Sequence, residues 1–252
     1  MLDERARKAA HNNALWCHAV CSAHDRPGEL LDGIWVNRRE VPLFYPNAVT
    51  FSEPRDAPSH LERIHALVEA GIPGSWAVKD SFCSLELQPL GFHVLFEAAW
   101  FYRSTVPPAH GRATATQPRW DRIREPSELA RWETAWRGEA SSEPQAPPAR
   151  IFPPALLADQ TIAVLGAYRD RQVVAGAIVN RTGDVAGLSN VFVRESDPDP
   201  DRCWAGCVTA AMDVFPGLPL VGYQAEPRLA RMRELGFEIL RPLRVWMTRP
   251  RG

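Results

Sequence analysis

The segment Leu90-Gly91-Phe92-His93-Val94-Leu95 recurs as Leu235-Gly236-Phe237-Glu238-Ile239-Leu240, an offset of 145 positions. Both copies follow the same order of signals: a helical stripe, an extended run and a second short helix. That shared order around an identical Leu-Gly-Phe points to an internal duplication. A chain of 252 residues can hold one large domain or two small ones, since a domain takes roughly 100–200 residues. The repeat favours two.

Residues 104–118 and 139–149 are rich in Pro, Ser, Thr and Ala, with few large apolar side chains, and read as linkers. The first marks a division into 1–118 and 119–252. Between the two linkers, residues 126–138 carry Leu129, Trp132 and Trp136 at helical spacing.

In the first half a helix is expected over 4–24, with extended runs near Ile34 and Val49. The next helix is marked by a Ser59/Glu62 capping box, a Leu61, Ile64, Val68 stripe and a stop at Gly71. A strand over 75–78 and a short helix over 81–88 lead into the repeated segment.

In the second half three extended runs, 161–168, 172–180 and 185–193, are separated by Arg169-Asp170-Arg171 and Thr182-Gly183-Asp184. Turn residues this close together predict a β-meander. A helix is expected over 201–213, because Trp204, Cys207, Val208 and Ala211 share one face. A buried strand over 218–223, a helix over 226–234 and a final strand from Phe237 complete the pattern.

Charge and composition narrow the function classes. Twenty-nine basic residues against thirty acidic ones leave a net charge of −1, with no cationic excess for nucleic acid or an anionic membrane. The longest apolar runs, such as 173–179, fall far short of the ~20 residues of a membrane span. The amino terminus lacks the basic-then-apolar layout of a secretory signal, and the five cysteines show no disulfide spacing. A cytoplasmic location with reduced thiols is expected. Arginine outnumbers lysine 27 to 2, the usage of a GC-rich bacterial genome.

The run Val185-Ala186-Gly187-Leu188-Ser189-Asn190-Val191-Phe192-Val193, the stretch Arg202-Cys203-Trp204-Ala205-Gly206-Cys207 and the segment from Glu226 through Gly236-Phe237 carry a resemblance. Together with the meander–helix–strand–helix–strand order, they make the chain resemble a tandem member of the GCN5-related N-acetyltransferase (GNAT) superfamily. The match is over residues 151–249, with a reduced, divergent copy over 30–103. The fold class so implied is α+β: two tandem units, each a twisted mixed sheet flanked by helices. The resemblance further implies acetyl-CoA as cofactor and a small-molecule or peptide amine as acceptor; the charge balance and short apolar runs above leave neither nucleic acid nor membrane as an expected partner.

In that superfamily the strand matching Leu188–Val193 splays from its neighbour, and the gap takes the pantetheine arm of coenzyme A. The resemblance therefore implies cofactor contacts at Val191, Phe192 and Val193. Amides at a helix amino terminus suit a pyrophosphate, which implies a phosphate grip by Arg202, Cys203, Trp204, Ala205, Gly206 and Cys207. The superfamily pattern is Gln or Arg, two residues, Gly, one residue, then Gly or Ala. Here the Arg is kept, with Ala205 and Cys207 where small residues are wanted. The preceding loop holds Glu195, Asp197, Asp199 and Asp201, which repel a diphosphate unless they turn into solvent; a solvated loop is the expected reading. Many superfamily members place a Tyr four residues before the Gly of the Gly-Phe pair. That position is Met232 here and Leu87 in the first copy.

Acyl transfer needs a base for the amine and a donor for the leaving thiolate. All seven histidines lie at or before His110, so the base in the second half is a carboxylate, Glu195, or water. Tyr223 is the replacement acid, or a packed core residue. Ser189 and Asn190 are polar positions in an apolar strand, open to substrate contact or to ordinary pairing. Cys17, Cys21 and His24 share a helix face, but packing is the expected role and no metal is assigned. Gly187-Leu188-Ser189-Asn190-Val191 lacks the second Gly of a nucleophile elbow. The alternative is an inactive scaffold of the same fold that binds a ligand, acyl-CoA or a partner protein.

Overall fold

The computed structural model describes residues 3–71, 74–105, 118–138 and 149–248. Both expected linkers therefore lie almost wholly outside the described residues. In chain order the elements are α1 (Glu4–Ala23), β1 (Glu29–Leu31), β2 (Ile34–Val36), β3 (Ala48–Thr50), α2 (Ala57–Glu69), β4 (Ala77–Asp80) and β5 (Phe92–Arg103). They continue as β6 (Arg119–Arg122), α3 (Pro126–Arg137), β7 (Ile162–Arg169), β8 (Gln172–Thr182), β9 (Val185–Val193), α4 (Pro200–Val214), β10 (Leu220–Gln224), α5 (Arg228–Glu234) and β11 (Glu238–Thr248). The fold class is α+β, as expected.

The chain packs as two compact units, Met1–Tyr102 with Val221–Gly252, and Arg103–Leu220. Packing thus groups the carboxy-terminal strands with the first unit, a different partition from the expected division at 118/119.

The first unit holds a mixed sheet in the order β1-β2-β3-β4-β11-β5-β10, with β3 and β4 parallel. Ile64 and Leu67 of α2 pack with Ile34, Val36, Ala48 and Val78 over one face. Small residues of α1, including Ala6, Ala10 and Ala14, are fully buried and let that helix approach the sheet closely. α2 begins two residues before Ser59, whose hydroxyl donates back to the Asp56 carbonyl, so the expected capping box does not form. The short helix expected over 81–88 is also absent: the buried Asp80 carboxylate accepts from the amides of Ser84 and Leu85 and holds the chain in a turn. Only Gln88–Leu90 closes into a 3-10 turn.

The two copies of the repeat end alike. The amide of Phe92 donates to the Leu87 carbonyl and that of Gly91 to Gln88; Phe237 donates to Met232 and Gly236 to Arg233, all shifted by the same 145 positions. Gly91 and Gly236 sit at φ +84° and +79°, the left-handed exit from a helical turn. β5 and β11 then pair antiparallel, with Tyr102 against Glu238 at one end and Phe92 against Thr248 at the other. The ladder slips twice. Leu95 is the extra residue on β5, and Leu240 with Arg241 faces Trp100 alone on β11. Leu95 and Leu240 are equivalent positions, so the pair bulges symmetrically about a local twofold axis.

The second unit is the expected meander, β6-β7-β8-β9, antiparallel throughout. β6, directly after Pro118, was not expected. Side chains alternate between the two faces. On one face Gly166 lies opposite Gly176, and a Cβ at Gly176 would overlap the Trp132 indole of α3. Trp132 donates its Nε1 to the Leu165 carbonyl at 2.8 Å. On the other face Cys203 of α4 packs against Ala167 and Ala175. The buried stripe of α4 therefore begins at Cys203, while Trp204 is only half-buried. Buried Glu133 of α3 accepts from the amides of Ile151 and Phe152, tying that helix to the segment before β7.

An added Cβ at Gly91 would meet nothing within 4 Å, so only backbone conformation opposes a substitution there. Gly91→Ala is expected to cost about 1 kcal/mol, read as a lowered urea midpoint with an unchanged slope.

Candidate functional site

β9 is regular from Val185 to Ser189 and then breaks register. Ile178 pairs with Ser189 and Gly176 with Phe192, so Asn190 and Val191 stand opposite Ala177 alone. Asn190 takes φ +52°, a left-handed value that Asn tolerates better than most residues. A bulge of this kind leaves a residue outside the ladder and turns its peptide away from the sheet. Beside it the Ser189 hydroxyl oxygen is buried without a hydrogen-bond partner. Buried hydroxyls are nearly always paired, which makes this atom the most conspicuous polar group of the strand.

The loop between β9 and α4 does not form a solvated acidic run. Asp197 is turned inward, its side chain 0% exposed, and pairs with Arg169 at 3.3 Å. It also accepts from the Asp199 amide at 2.9 Å. Burial pushes the Asp197 carboxyl up, but the Asp199 amide and Arg169 outweigh it and hold the group below its ordinary value. Asp199 is the N-cap of α4: its carboxylate accepts from the Arg202 amide and meets the Arg202 guanidinium at 3.1 Å. Pro200, at the first position, has no N–H. The helix end therefore carries its own carboxylate where an external anion would sit. Glu195 is exposed.

The small residues of α4 have packing partners. A Cβ at Gly206 would stand 2.5 Å from the Trp120 Nε1, so glycine is needed for the β6 indole to cross the helix. Cys203 and Cys207 are buried, and burial pushes both thiols up to about 12. Ala205 is exposed. Val191, Phe192 and Val193 are half-buried, with the Phe192 ring edge-on to Trp132 at 5.4 Å.

Tyr223 belongs to the first unit. Its ring lies edge-on to Trp100 at 5.6 Å and carries the Lys79 ammonium over its face at 4.2 Å. Lys79 is itself buried and donates to Asn13 at 2.6 Å. Met232 is buried in the core of α5, as Leu87 is at the matching place. Cys17 and Cys21 pack in α1, where burial pushes the Cys21 thiol up to about 12.

No protein-family model and no curated protein sequence matches the chain. Solved structures do. A GCN5-related N-acetyltransferase from Kribbella flavida superposes with a TM-score of 0.58 at 15% identity, covering 97% of this chain and 96% of that one. A conserved protein of unknown function from Staphylococcus epidermidis gives 0.58 at 9% identity, over 90% and 95%. A tandem GNAT protein from the clavulanic acid biosynthesis pathway gives 0.52 at 14%, over 82% and 75%. The chain has the fold of the GCN5-related N-acetyltransferases. No helix among the described residues is long and apolar enough to cross a membrane.

The register break at Asn190 fits an extended polar ligand arm lying along the strand beyond it, at Val191–Val193, and leaves the unpartnered Ser189 hydroxyl for a second molecule. At α4 the same ligand's phosphates would have to replace Asp199 on the Arg202 amide.

Because the folded Asp197 carboxyl binds its proton more weakly than the unfolded one, its stabilising contribution is complete above the ordinary aspartate value of 3.8. It is lost as pH falls through the lower, folded value. The melting-temperature gap between wild type and Asp197→Asn is expected to be full at pH 6 and to close towards pH 3 in a thermal-denaturation series.

Proposed function

We propose that the chain is an acetyltransferase of the GNAT type, moving an acetyl group from acetyl-CoA to an amine. The observation that carries this reading is the β9 bulge at Asn190 with the unpaired Ser189 hydroxyl beside it. In the reading, residues 1–118 and 119–252 are two copies of one ancestral unit, and the second copy holds the cofactor.

Bound acetyl-CoA would supply an activated thioester. The chain's own part is to bind and orient. Main-chain groups of Val191, Phe192 and Val193 complete a strand-like ladder with the pantetheine arm, and the peptide freed by the bulge steadies the developing oxyanion. Arg202 and the first turn through Cys203, Trp204, Ala205, Gly206 and Cys207 face the phosphates once Asp199 yields its place. Ser189 and Asn190 meet the acceptor. Glu195 takes the amine proton, and water returns one to the leaving thiolate.

A second reading is a scaffold of the same fold that binds without catalysis. The self-capped helix and the buried Met232 favour it.

Calorimetric titration with acetyl-CoA tests both. Wild type is expected to bind. Arg202→Ala is expected to weaken binding about tenfold, a loss of ~1.4 kcal/mol, and Asp199→Ala to strengthen it by removing the competing carboxylate. No heat from wild type up to millimolar ligand would remove the enzyme reading. Binding without turnover across a panel of amines selects the scaffold. With turnover, Glu195→Gln should lower kcat by about a hundredfold.

A further inference from the structure

The face of the second unit's sheet that carries α3 holds a cleft of about 910 Å³ between the end of that helix and the β7–β8 turn. Arg119, Arg131, Arg171 and Arg194 line it, with Tyr168 at its wall and Glu128 and Asp170 as the carboxylates of the lining. Strand alternation separates this cleft from the α4 loop. Tyr168 turns to the α3 face, lying over Gly166, while its neighbour Arg169 turns to the other and pairs with Asp197. Likewise Phe192 meets Trp132 of α3, Val193 packs towards Cys203 of α4, and Arg194 returns to the α3 side.

Four guanidiniums line the cleft against the carboxylates of Glu128 and Asp170, with Asp121 beside them on the same face. Arg119 is paired with Asp121 at 2.7 Å. For Arg131 and Arg171 there is no ion pair among the described residues. Both line the cleft, which also holds the carboxylates of Glu128 and Asp170.

The turn that presents Arg171 is also built against local preference. Arg169 pairs with Gln172, leaving a two-residue hairpin loop in which Asp170 and Arg171 take φ +49° and +67°. Two positive φ values define the tight turn that strongly prefers Asn-Gly. Arginine stands in the glycine position, at a conformational cost, and its guanidinium lines the cleft. Tyr168 feels the same surroundings: burial raises its hydroxyl, Glu128 and Asp121 add to the rise, and Arg131 and Arg119 oppose it.

We infer that this cleft is a binding site for a small organic anion carrying at least two phosphate or carboxylate groups. Guanidinium forks hold either group in a bidentate fashion, and the cleft is far larger than an inorganic ion. The inference does not depend on the acetyl-transfer reading, since none of its residues belongs to the β9 bulge or the α4 turn.

The test is calorimetric titration of the full chain with ADP and, separately, with citrate, at low ionic strength. Wild type is expected to bind at least one. Tighter ADP binding identifies phosphate as the preferred group, and tighter citrate binding identifies carboxylate. Arg131→Ala should weaken that binding about tenfold. Arg171→Gly should do the same while raising the melting temperature by roughly 2–4 °C, because glycine relieves the turn. Opposite signs on stability and affinity are not what a purely structural residue gives. No binding of either anion up to 10 mM-scale concentrations, or affinity unchanged in both variants, overturns the inference. If affinity instead falls only in Arg202→Ala, the anion sits at α4: the cleft is then refuted and the acetyl-CoA reading is left standing.

Discussion

The pairing of β5 with β11 is the constraint on which the first unit rests. β11 is the last strand of the chain, yet it lies between β4 and β5, so the sheet is incomplete until the carboxy-terminal segment returns. Closing a loop of this length costs about 4 kcal/mol in chain entropy. Apolar contacts across the seam offset it: Phe101 against Phe237 at 4.8 Å, and fully buried Trp246 in the same core cluster as Phe92. Those two residue pairs are images of one another under the 145-residue shift. A segment that pairs with its own repeat needs only one interface to be good, because the register that suits one half suits the other. The matched bulges at Leu95 and Leu240 are what that symmetry requires: a twist imposed on one strand alone would pull the two ends of the pair out of step.

Much of this was legible in the sequence, and the reason is physical. Gly91 and Gly236 mark a backbone conformation that other residues avoid, so a local string reports a local geometry. The meander over β7, β8 and β9 was legible for the same reason, through short extended runs separated by closely spaced turn residues. The failures share an opposite cause. The chain after Asp80 has the composition of a helix, but one buried carboxylate collects its amides and bends it. Asp197 and Asp199 look like a solvated run, but Asp197 finds Arg169, 28 positions earlier, and Asp199 finds the end of α4. Side-chain-to-backbone bonds of this sort depend on partners that no window of sequence contains. The cleft on the α3 face was invisible for that reason too: its four arginines come from β6, α3, the β7–β8 turn and the residue after β9.

The α4 terminus illustrates how such a partner changes a functional argument. A helix amino terminus attracts anions because its first amides lack acceptors and the peptide dipoles align. Here the protein supplies an acceptor of its own. A capping carboxylate is worth about 1 kcal/mol, which is small beside the several charge-assisted bonds a diphosphate can make. Self-capping therefore sets the affinity of this helix end within a factor of roughly five to ten and does not close it.

Charge on the second unit is arranged by face, and net charge hides this. Glu195, Asp197, Asp199 and Asp201 precede α4 or lie in its first turn, while Arg119, Arg131, Arg171 and Arg194 gather on the α3 side. Exposed charges are screened within about 10 Å at ordinary ionic strength, so a small ligand in the cleft responds to the nearby guanidiniums and hardly to the acidic loop across the sheet. A near-neutral composition argues against long polyanions, whose binding sums over a whole surface. It does not bear on an anion a few ångströms across. The strand period of two separates the faces: one step along β7, from Tyr168 to Arg169, moves from the cationic cleft to the buried Asp197 pair. A single-residue slip in the register of that strand would exchange them, which is why the glycine pair under Trp132 matters to the chemistry of both.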